Sequence, residues 1–318
     1  MNSPLGGTLR RSVVDPTWGR ARRSAVLESG RQGNQTGIDM RHVLLGWIIW
    51  TAQTCIAVAA PSESDLFRSP DMRAPLAAEF DRLAMRSLNV PPDEIVAYAA
   101  MLRRELSLND VQIDTPQFVL LVDRSPFVQA ALLFWGSQRG SWALVGAVPV
   151  STGKPGSVEH FATPVGVYEH SLDNMDFRAE GTYNALHIRG YGAKGARVFD
   201  FGWVTAPKGW GDHDFSVMRL QLHATDPDVL EPRLGTPQSK GCIRISGAFN
   251  RFLDAHGVLD AAYDEGLAEG GRFWVLRPDR TSTPWAGRWL VVVDSDRRTR
   301  PGWCALPKPG AVGQPEKR

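Results

Sequence analysis

The feature that most constrains the fold is a change of pattern after Pro116, where short apolar runs alternate with glycine and proline. The first run, residues 118–122, is continuous and contains β-branched residues, which is typical of a buried strand. Further candidate strands cover residues 130–135, 142–150, 165–170, 185–189, 218–223, 241–245, 273–276 and 289–293. This many short strands with few helices predict a mainly β (α+β) fold.

Helical periodicity occurs before and after this β-rich part. Residues 93–106 carry apolar side chains at helical spacing behind a Pro-Pro pair, and residues 248–255 and 259–268 repeat the pattern. The predicted organisation is a short helical N-terminal region over 61–115, a β-rich domain over 116–280, and a C-terminal extension with a loose tail over 281–318.

The amino-terminal part has the pattern of a targeting segment. A mostly apolar run, residues 43–60, follows Met40-Arg41-His42 and ends with small residues before Pro61. This is typical of a secretory signal peptide over 40–60, with residues 1–39 as a mis-started or disordered leader. A run of this length could also stay as a membrane anchor, and only in that case would a membrane be a partner. Either interpretation predicts export to the periplasm or cell envelope.

Composition excludes several classes of function. The net charge is +2, from 36 basic and 34 acidic residues, which argues against a nucleic-acid partner. Three cysteines are too few for a disulfide scaffold, and none forms the CxxC pair typical of a zinc site. We therefore expect neither a metal nor a cofactor.

The residues with the clearest chemistry surround Cys242. This cysteine follows the flexible Gly241 at the start of a short apolar strand, and the two backbone N–H groups could form an oxyanion site. A thiol is a strong nucleophile only as thiolate, and His223, which ends an alternating strand upstream, could accept its proton. On spacing alone the signal is modest, because a single cysteine or histidine is more often structural.

A family resemblance strengthens this interpretation. Residues 239–244, Ser-Lys-Gly-Cys-Ile-Arg, together with His223 upstream, resemble the signature of L,D-transpeptidases (the YkuD-like catalytic domain). Residues 148–154 and 163–168 resemble two earlier segments of the same family, in the expected order. The resemblance spans residues 116–276, roughly half of the chain. It departs from the family at Lys240, where a histidine usually precedes Gly-Cys.

The resemblance implies a β-sandwich-like catalytic domain that transfers acyl groups of peptidoglycan stem peptides. Cys242 would attack the carbonyl between the diamino acid at position three and the terminal D-Ala, and D-Ala would leave. An amine from another stem, or from an envelope protein, would then attack the resulting thioester. His223 would carry the proton in both steps.

Several other residues receive supporting roles. Arg244 would hold a stem carboxylate through its planar guanidinium group, and Ser239 would orient His223 or the loop. Lys240, if the segment is extended, would face the same way as Cys242 and favour its thiolate. His187 is a candidate substrate-side residue on a predicted strand. The histidines expected at the surface are His160, His170 and His256.

Two alternatives to a transpeptidase remain open. The same site could end its reaction with water, which would make the protein a cysteine-dependent L,D-peptidase or amidase. A non-catalytic wall-binding protein that has kept the fold is the other alternative, and Lys240 is the sequence feature in its favour.

Overall fold

The computed structural model describes residues 74–83 and 87–306. The predicted leader, 1–39, and signal peptide, 40–60, lie outside the described residues. Within the described part of the chain, no helix is both long enough and apolar enough to cross a membrane.

Two of the described helices precede the strands, and two more lie between the eighth and ninth strands. The helices are α1 Ala74–Leu83, α2 Pro92–Leu108, α3 Gly247–His256 and α4 Ala261–Ala268, with a short 3-10 turn at Glu231–Arg233. The strands are β1 Gln117–Asp123, β2 Ala130–Gly136, β3 Trp142–Pro149, β4 Gly166–Glu169, β5 Phe177–Arg178, β6 Arg197–Pro207, β7 Phe215–Ala224, β8 Ile243–Ile245 and β9 Trp289–Val293. The prediction of a mixed, mostly β fold is confirmed.

The strands form two sheets. The five-stranded sheet has the order β3-β2-β1-β9-β4, and the four-stranded sheet has the order β5-β6-β7-β8. Two neighbouring pairs are parallel, β1 with β9 and β7 with β8, and the other neighbours are antiparallel. The parallel β7–β8 pair matters most for the site, because it brings the ends of two sequence blocks side by side.

The continuous apolar run of β1 reflects burial on both faces of the five-stranded sheet. Leu120 and Val122 belong to the core shared with the four-stranded sheet and α3, whereas Val119 and Leu121 pack with α2. Successive side chains of a strand point to opposite faces, so one strand can serve both layers. The four-stranded sheet, in contrast, gives one face to the shared core and has polar side chains on the other.

The C-terminal extension differs from the expectation. Strand β9 lies between β1 and β4, so residue 280 is not a structural boundary. Within the tail that was expected to be loose, the described residues 297–306 contact α2, where Trp303 meets the Tyr98 ring edge-on at 6.0 Å and Arg297 pairs with Glu94. Cys304 is free and buried in the same core. Residue 280 is not a boundary because the apolar side chains of Trp289–Val293 require burial within a sheet.

Two predicted strands are wrong, at residues 185–189 and 273–276. In the first, the Asn184 side chain accepts hydrogen bonds from the backbone N–H groups of Leu186 and Ile188, and His187 has a positive φ of 54°. A local side-chain acceptor of this kind competes with strand pairing and favours a turn. Residues 273–276 also form a turn, closed by a hydrogen bond from Leu276 N–H to the Phe273 carbonyl.

A buried ionic cluster joins the four-stranded sheet to α4 and corrects the surface assignment of His170. The His170 side chain is fully buried, with Nδ1 2.7 Å from the Leu259 carbonyl oxygen and Nε2 2.8 Å from Oδ1 of Asp176. Burial alone would lower the pKa of His170, but the Asp176 carboxylate outweighs it and the pKa is raised. Arg197, also fully buried, lies 2.7 Å from both Asp176 and Asp260.

Candidate active site

The three sequence blocks that resemble the family converge on one place in the fold. Ser151 and Arg244 exchange backbone hydrogen bonds of 2.9 and 2.8 Å, which joins the first block to the third. The Thr163 hydroxyl donates to the Gly241 carbonyl at 2.6 Å and accepts from the Gly153 N–H at 2.8 Å, so the second block connects both others. Segments as far as 93 positions apart in sequence therefore meet around Cys242.

The turn before Cys242 requires its glycine. Gly241 has a φ of +134°, and a Cβ atom there would lie 2.7 Å from Sδ of Met218. The buried Ser239 hydroxyl accepts the Gly241 N–H at 3.0 Å and donates to the Cys242 carbonyl. Ser239 thus orients the loop and does not contact His223. The Gly241 N–H, expected in the oxyanion site, is engaged by Ser239 in this conformation.

His223 lies on β7, and Cys242 lies in the bend that leads into the neighbouring parallel strand β8. His223 pairs with Arg244 in the β7–β8 register, two positions after Cys242. The Cys242 sulfur is 3.6 Å from the Arg219 carbonyl oxygen, so the thiol lies against β7. Among the described residues, no hydrogen bond joins Cys242 to His223, so proton transfer needs the two side chains to come closer.

One hydrogen bond fixes the tautomer of His223. Its Nδ1 lies 2.6 Å from the Ala224 carbonyl oxygen, which can only accept a hydrogen bond. Nδ1 therefore carries the proton when the ring is neutral. Nε2 then keeps its lone pair, and within the described residues it has no hydrogen-bond partner. This is the arrangement that a general base needs.

Burial sets the protonation states of both groups. It raises the pKa of the Cys242 thiol, against the opposing effects of the Gln221 N–H and the Arg244 charge. It lowers the pKa of His223 to about 4, and the positive charge of Arg244 lowers it too. At neutral pH the resting pair is therefore a neutral thiol and a neutral imidazole. A thiolate at neutral pH therefore needs a proton acceptor, and Nε2 of His223 is the candidate.

A chain of polar side chains that the sequence analysis missed runs beside this pair. The Tyr191 hydroxyl donates to Oε1 of Gln221 at 3.0 Å, and Oδ2 of Asp200 accepts from Gln221 Nε2 at 2.8 Å and from Arg219 Nε at 2.7 Å. The Tyr191 ring meets the His223 ring edge-on at 4.7 Å between centroids. Positions 219 and 221 share a face with 223 by strand alternation, and that pattern could have found them. No sequence signal indicates Tyr191.

Lys240 is not placed as the sequence suggested. Its side chain is 61% exposed, and Nζ lies 3.1 Å from Oε2 of Glu159 in a surface ion pair. The expectation that Lys240 faces the same way as Cys242 assumed an extended segment, but residues 240–242 form a bend. The structure therefore gives Lys240 no contact with the thiol.

Arg244 and His187 differ in their relation to the site. Arg244 is half-buried on β8, where its guanidinium donates to the Gln238 carbonyl at 3.1 Å and its charge acts on both Cys242 and His223. His187 lies in an exposed turn, and its described ring contact is with Tyr183 at 6.1 Å. The structure therefore brings Arg244 to the site but not the His187 side chain.

Comparisons with known proteins give no family assignment. No protein-family model matches the chain, and no curated protein matches it. Within the described residues, no group of three or more His, Cys, Asp or Glu side chains is arranged to hold a metal ion. The groups that define the site are a half-buried thiol, a neutral imidazole with a fixed tautomer, and a nearby guanidinium group.

Proposed function

We propose that the protein is an exported cysteine acyltransferase, an L,D-transpeptidase that acts on peptidoglycan stem peptides. The observation that supports this most strongly is the convergence of the three family-like blocks on Cys242, with His223 on the adjacent parallel strand. The partners of such an enzyme are stem peptides and, for some acceptors, an envelope protein. The predicted signal peptide supports a location in the periplasm or cell envelope.

The first half-reaction forms a thioester. Nε2 of His223 takes the thiol proton as Sγ of Cys242 attacks the carbonyl carbon between the diamino acid and the terminal D-Ala. The tetrahedral intermediate then collapses, the C–N bond breaks, and the imidazolium returns its proton to the departing amine of D-Ala. A neutral thiol beside a neutral imidazole at neutral pH is the starting state that this sequence requires.

The second half-reaction transfers the acyl group. An amine nitrogen attacks the thioester carbon, the C–S bond breaks, and the proton released by nitrogen passes through His223 to sulfur. Arg244, two positions after Cys242 and with a fixed fork of donors, is suited to hold a carboxylate of the stem. The step needs no cofactor, because the thioester itself stores the energy of the cleaved peptide bond.

The alternative of a non-catalytic wall-binding protein depended on Lys240. Because Lys240 pairs with Glu159 at the surface, it leaves the thiol and the His223 ring unobstructed. The geometry therefore favours an enzyme. A hydrolase that cleaves the same bonds would use the same residues, and it differs only in whether water or an amine reaches the thioester.

Intact-mass measurement tests the proposal. The purified protein is incubated with disaccharide-tetrapeptide, or with a carbapenem, a class that generally acylates this family. We expect an adduct on Cys242, release of D-Ala from the peptide, and a cross-linked product when an acceptor amine is added. Folded wild-type protein that forms no adduct with either reagent would contradict the proposal, and Cys242→Ala is the matched control.

A further inference from the structure

Tyr191 separates the candidate base from a cavity. Its ring packs edge-on against His223 on one side and against Phe177 at 5.5 Å on another. The same residue lines a cavity of about 440 Å³, together with Phe177, Glu180 and Thr182. The Tyr191 side chain therefore lies between His223 and a space large enough for many water molecules.

The loop that carries Tyr191 is fixed to the end of β7. Gly192 has a φ of +82°, and a Cβ atom there would lie 2.8 Å from Cβ of Ala224, so the close approach requires glycine. On the other side of Tyr191, the backbone N–H and Nε of Arg189 donate to Oδ2 of the buried Asp226 at 3.0 and 3.1 Å. These two contacts, together with the hydroxyl bond to Gln221, hold the aromatic ring over His223.

We propose that Tyr191 is a specificity-determining residue that keeps water from His223, so that the thioester is transferred to an amine and not hydrolysed. The inference rests on the proposed function and deepens it, because it names the group that selects between the two possible products. The low pKa of His223, which burial causes, is consistent with a base shielded from water.

The chemistry explains why shielding the base acts on one product. In hydrolysis, water oxygen attacks the thioester carbon, its proton goes to Nε2 of His223, the C–S bond breaks and sulfur takes the proton. Water is a weak nucleophile and needs the base during its attack. A neutral amine attacks with its own lone pair and gives up its proton afterwards. Excluding water from Nε2 therefore slows hydrolysis more than aminolysis.

The product ratio of one acyl-enzyme tests the proposal. With the tetrapeptide donor and a fixed concentration of acceptor amine, mass spectrometry measures cross-linked against hydrolysed product for Tyr191→Ala, Tyr191→Phe and Tyr183→Ala. We expect Tyr191→Ala to shift the ratio toward hydrolysis by about tenfold. Tyr191→Phe keeps the ring and should keep the ratio. Tyr183, an exposed tyrosine of the same loop without contact to His223, is the matched control.

The ratio distinguishes this role from a structural one, because it is counted per acylated molecule and does not depend on the folded fraction. An unchanged ratio in Tyr191→Ala overturns the inference while the proposed function stands, whereas absence of any acyl-enzyme in the wild type overturns the proposed function.

A second readout needs no acyl-enzyme. Among the described residues, the groups that act on the His223 ring are Tyr191 from the loop, Arg244 from β8 and the Ala224 carbonyl. Tyr191→Ala removes the ring contact and leaves the other groups in place. NMR titration should therefore show the His223 pKa rising from about 4 toward 6.5 in Tyr191→Ala. In Tyr191→Phe, which keeps the ring, the His223 pKa should stay low. A pKa that stays near 4 in Tyr191→Ala contradicts water exclusion by this ring.

Discussion

His170 and His223 show how the same side chain is tied into an ionic cluster in one region and left with a free lone pair in another. Both are buried, at 0% and 5% exposure, and both use Nδ1 to contact a backbone carbonyl. Nε2 of His170 faces Asp176, and its pKa is raised; Nε2 of His223 faces no carboxylate among the described residues, and its pKa falls to about 4. The group that Nε2 faces therefore determines whether the ring is held as a cation or stays neutral with a free lone pair.

The two surroundings follow from the layers of the fold. His170 lies in the ionic cluster that ties β5 and β6 to α4, where each charge has a partner of opposite sign. His223 lies on the face of the four-stranded sheet that is not used by the shared core, beside polar side chains of β6, β7 and β8. Paired charges tie the elements of a fold together, whereas an unused lone pair leaves a base available for chemistry.

The largest effect is expected at the nucleophile. Cys242→Ala should abolish acylation completely, because it removes the covalent step and leaves no other thiol at the site. Stability should change little, since the substitution removes one sulfur atom from a half-buried position. Intact-mass measurement with a carbapenem checks the first statement and thermal unfolding checks the second. Acylation of Cys242→Ala at the wild-type rate would refute the assignment.

His223→Ala should lower the acylation rate by about 10²–10⁴-fold, the usual contribution of a general base. The neutral ring is the active form, so wild-type activity should hold across the neutral range and fall as pH drops toward about 4, where Nε2 binds a proton. Stopped acylation assays from pH 3.5 to 8 measure this acid limb. A limb near pH 6.5 would mean that His223 is exposed to water and that the contrast with His170 is weaker than the structure indicates.

His170→Ala should lower the stability of the protein and leave the acylation rate unchanged, the reverse of His223→Ala. It removes the cation that partners Asp176 in a buried site, and breaking a buried pair costs about 3–5 kcal/mol of unfolding free energy. The remaining Arg197–Asp176 contact favours the lower end of that range. Urea denaturation measures the loss, and acylation per folded molecule should match the wild type. A catalytic defect in fully folded His170→Ala protein would show that the ionic cluster also acts on the site.

The strands and the site residues differ in how far the sequence alone predicts them. The short apolar runs of β1 and β9 predict strands buried within a sheet. The residue types around Cys242 predict a nucleophile, because they limit the chemistry. His170 could not be identified as buried, because its partner Asp176 comes from tertiary packing and not from a periodic pattern. Tyr191 lies 32 positions before His223, in a loop whose course depends on Gly192 and Asp226.

The smallest effect is expected at Lys240, the position that breaks the family-like pattern. A cation about 4 Å from the thiol would be worth roughly 1 kcal/mol in water and about 4 kcal/mol at an effective dielectric of 20, enough to lower the thiol pKa visibly. The structure instead directs this ammonium group to Glu159 at the surface, and Arg244 is the cation that acts on the thiol. Lys240→Ala should therefore leave the pH profile of Cys242 alkylation unshifted.

Arg244→Gln is the matched comparison for Lys240. It removes the nearby charge that favours the Cys242 thiolate, so the alkylation profile should move to higher pH. The same charge lowers the pKa of His223, so the acid limb of acylation should also move upward in Arg244→Gln. Alkylation rates measured from pH 6 to 10 compare the two variants directly. A shift in Lys240→Ala as large as that in Arg244→Gln would place the Lys240 ammonium group at the thiol and contradict its surface pairing with Glu159.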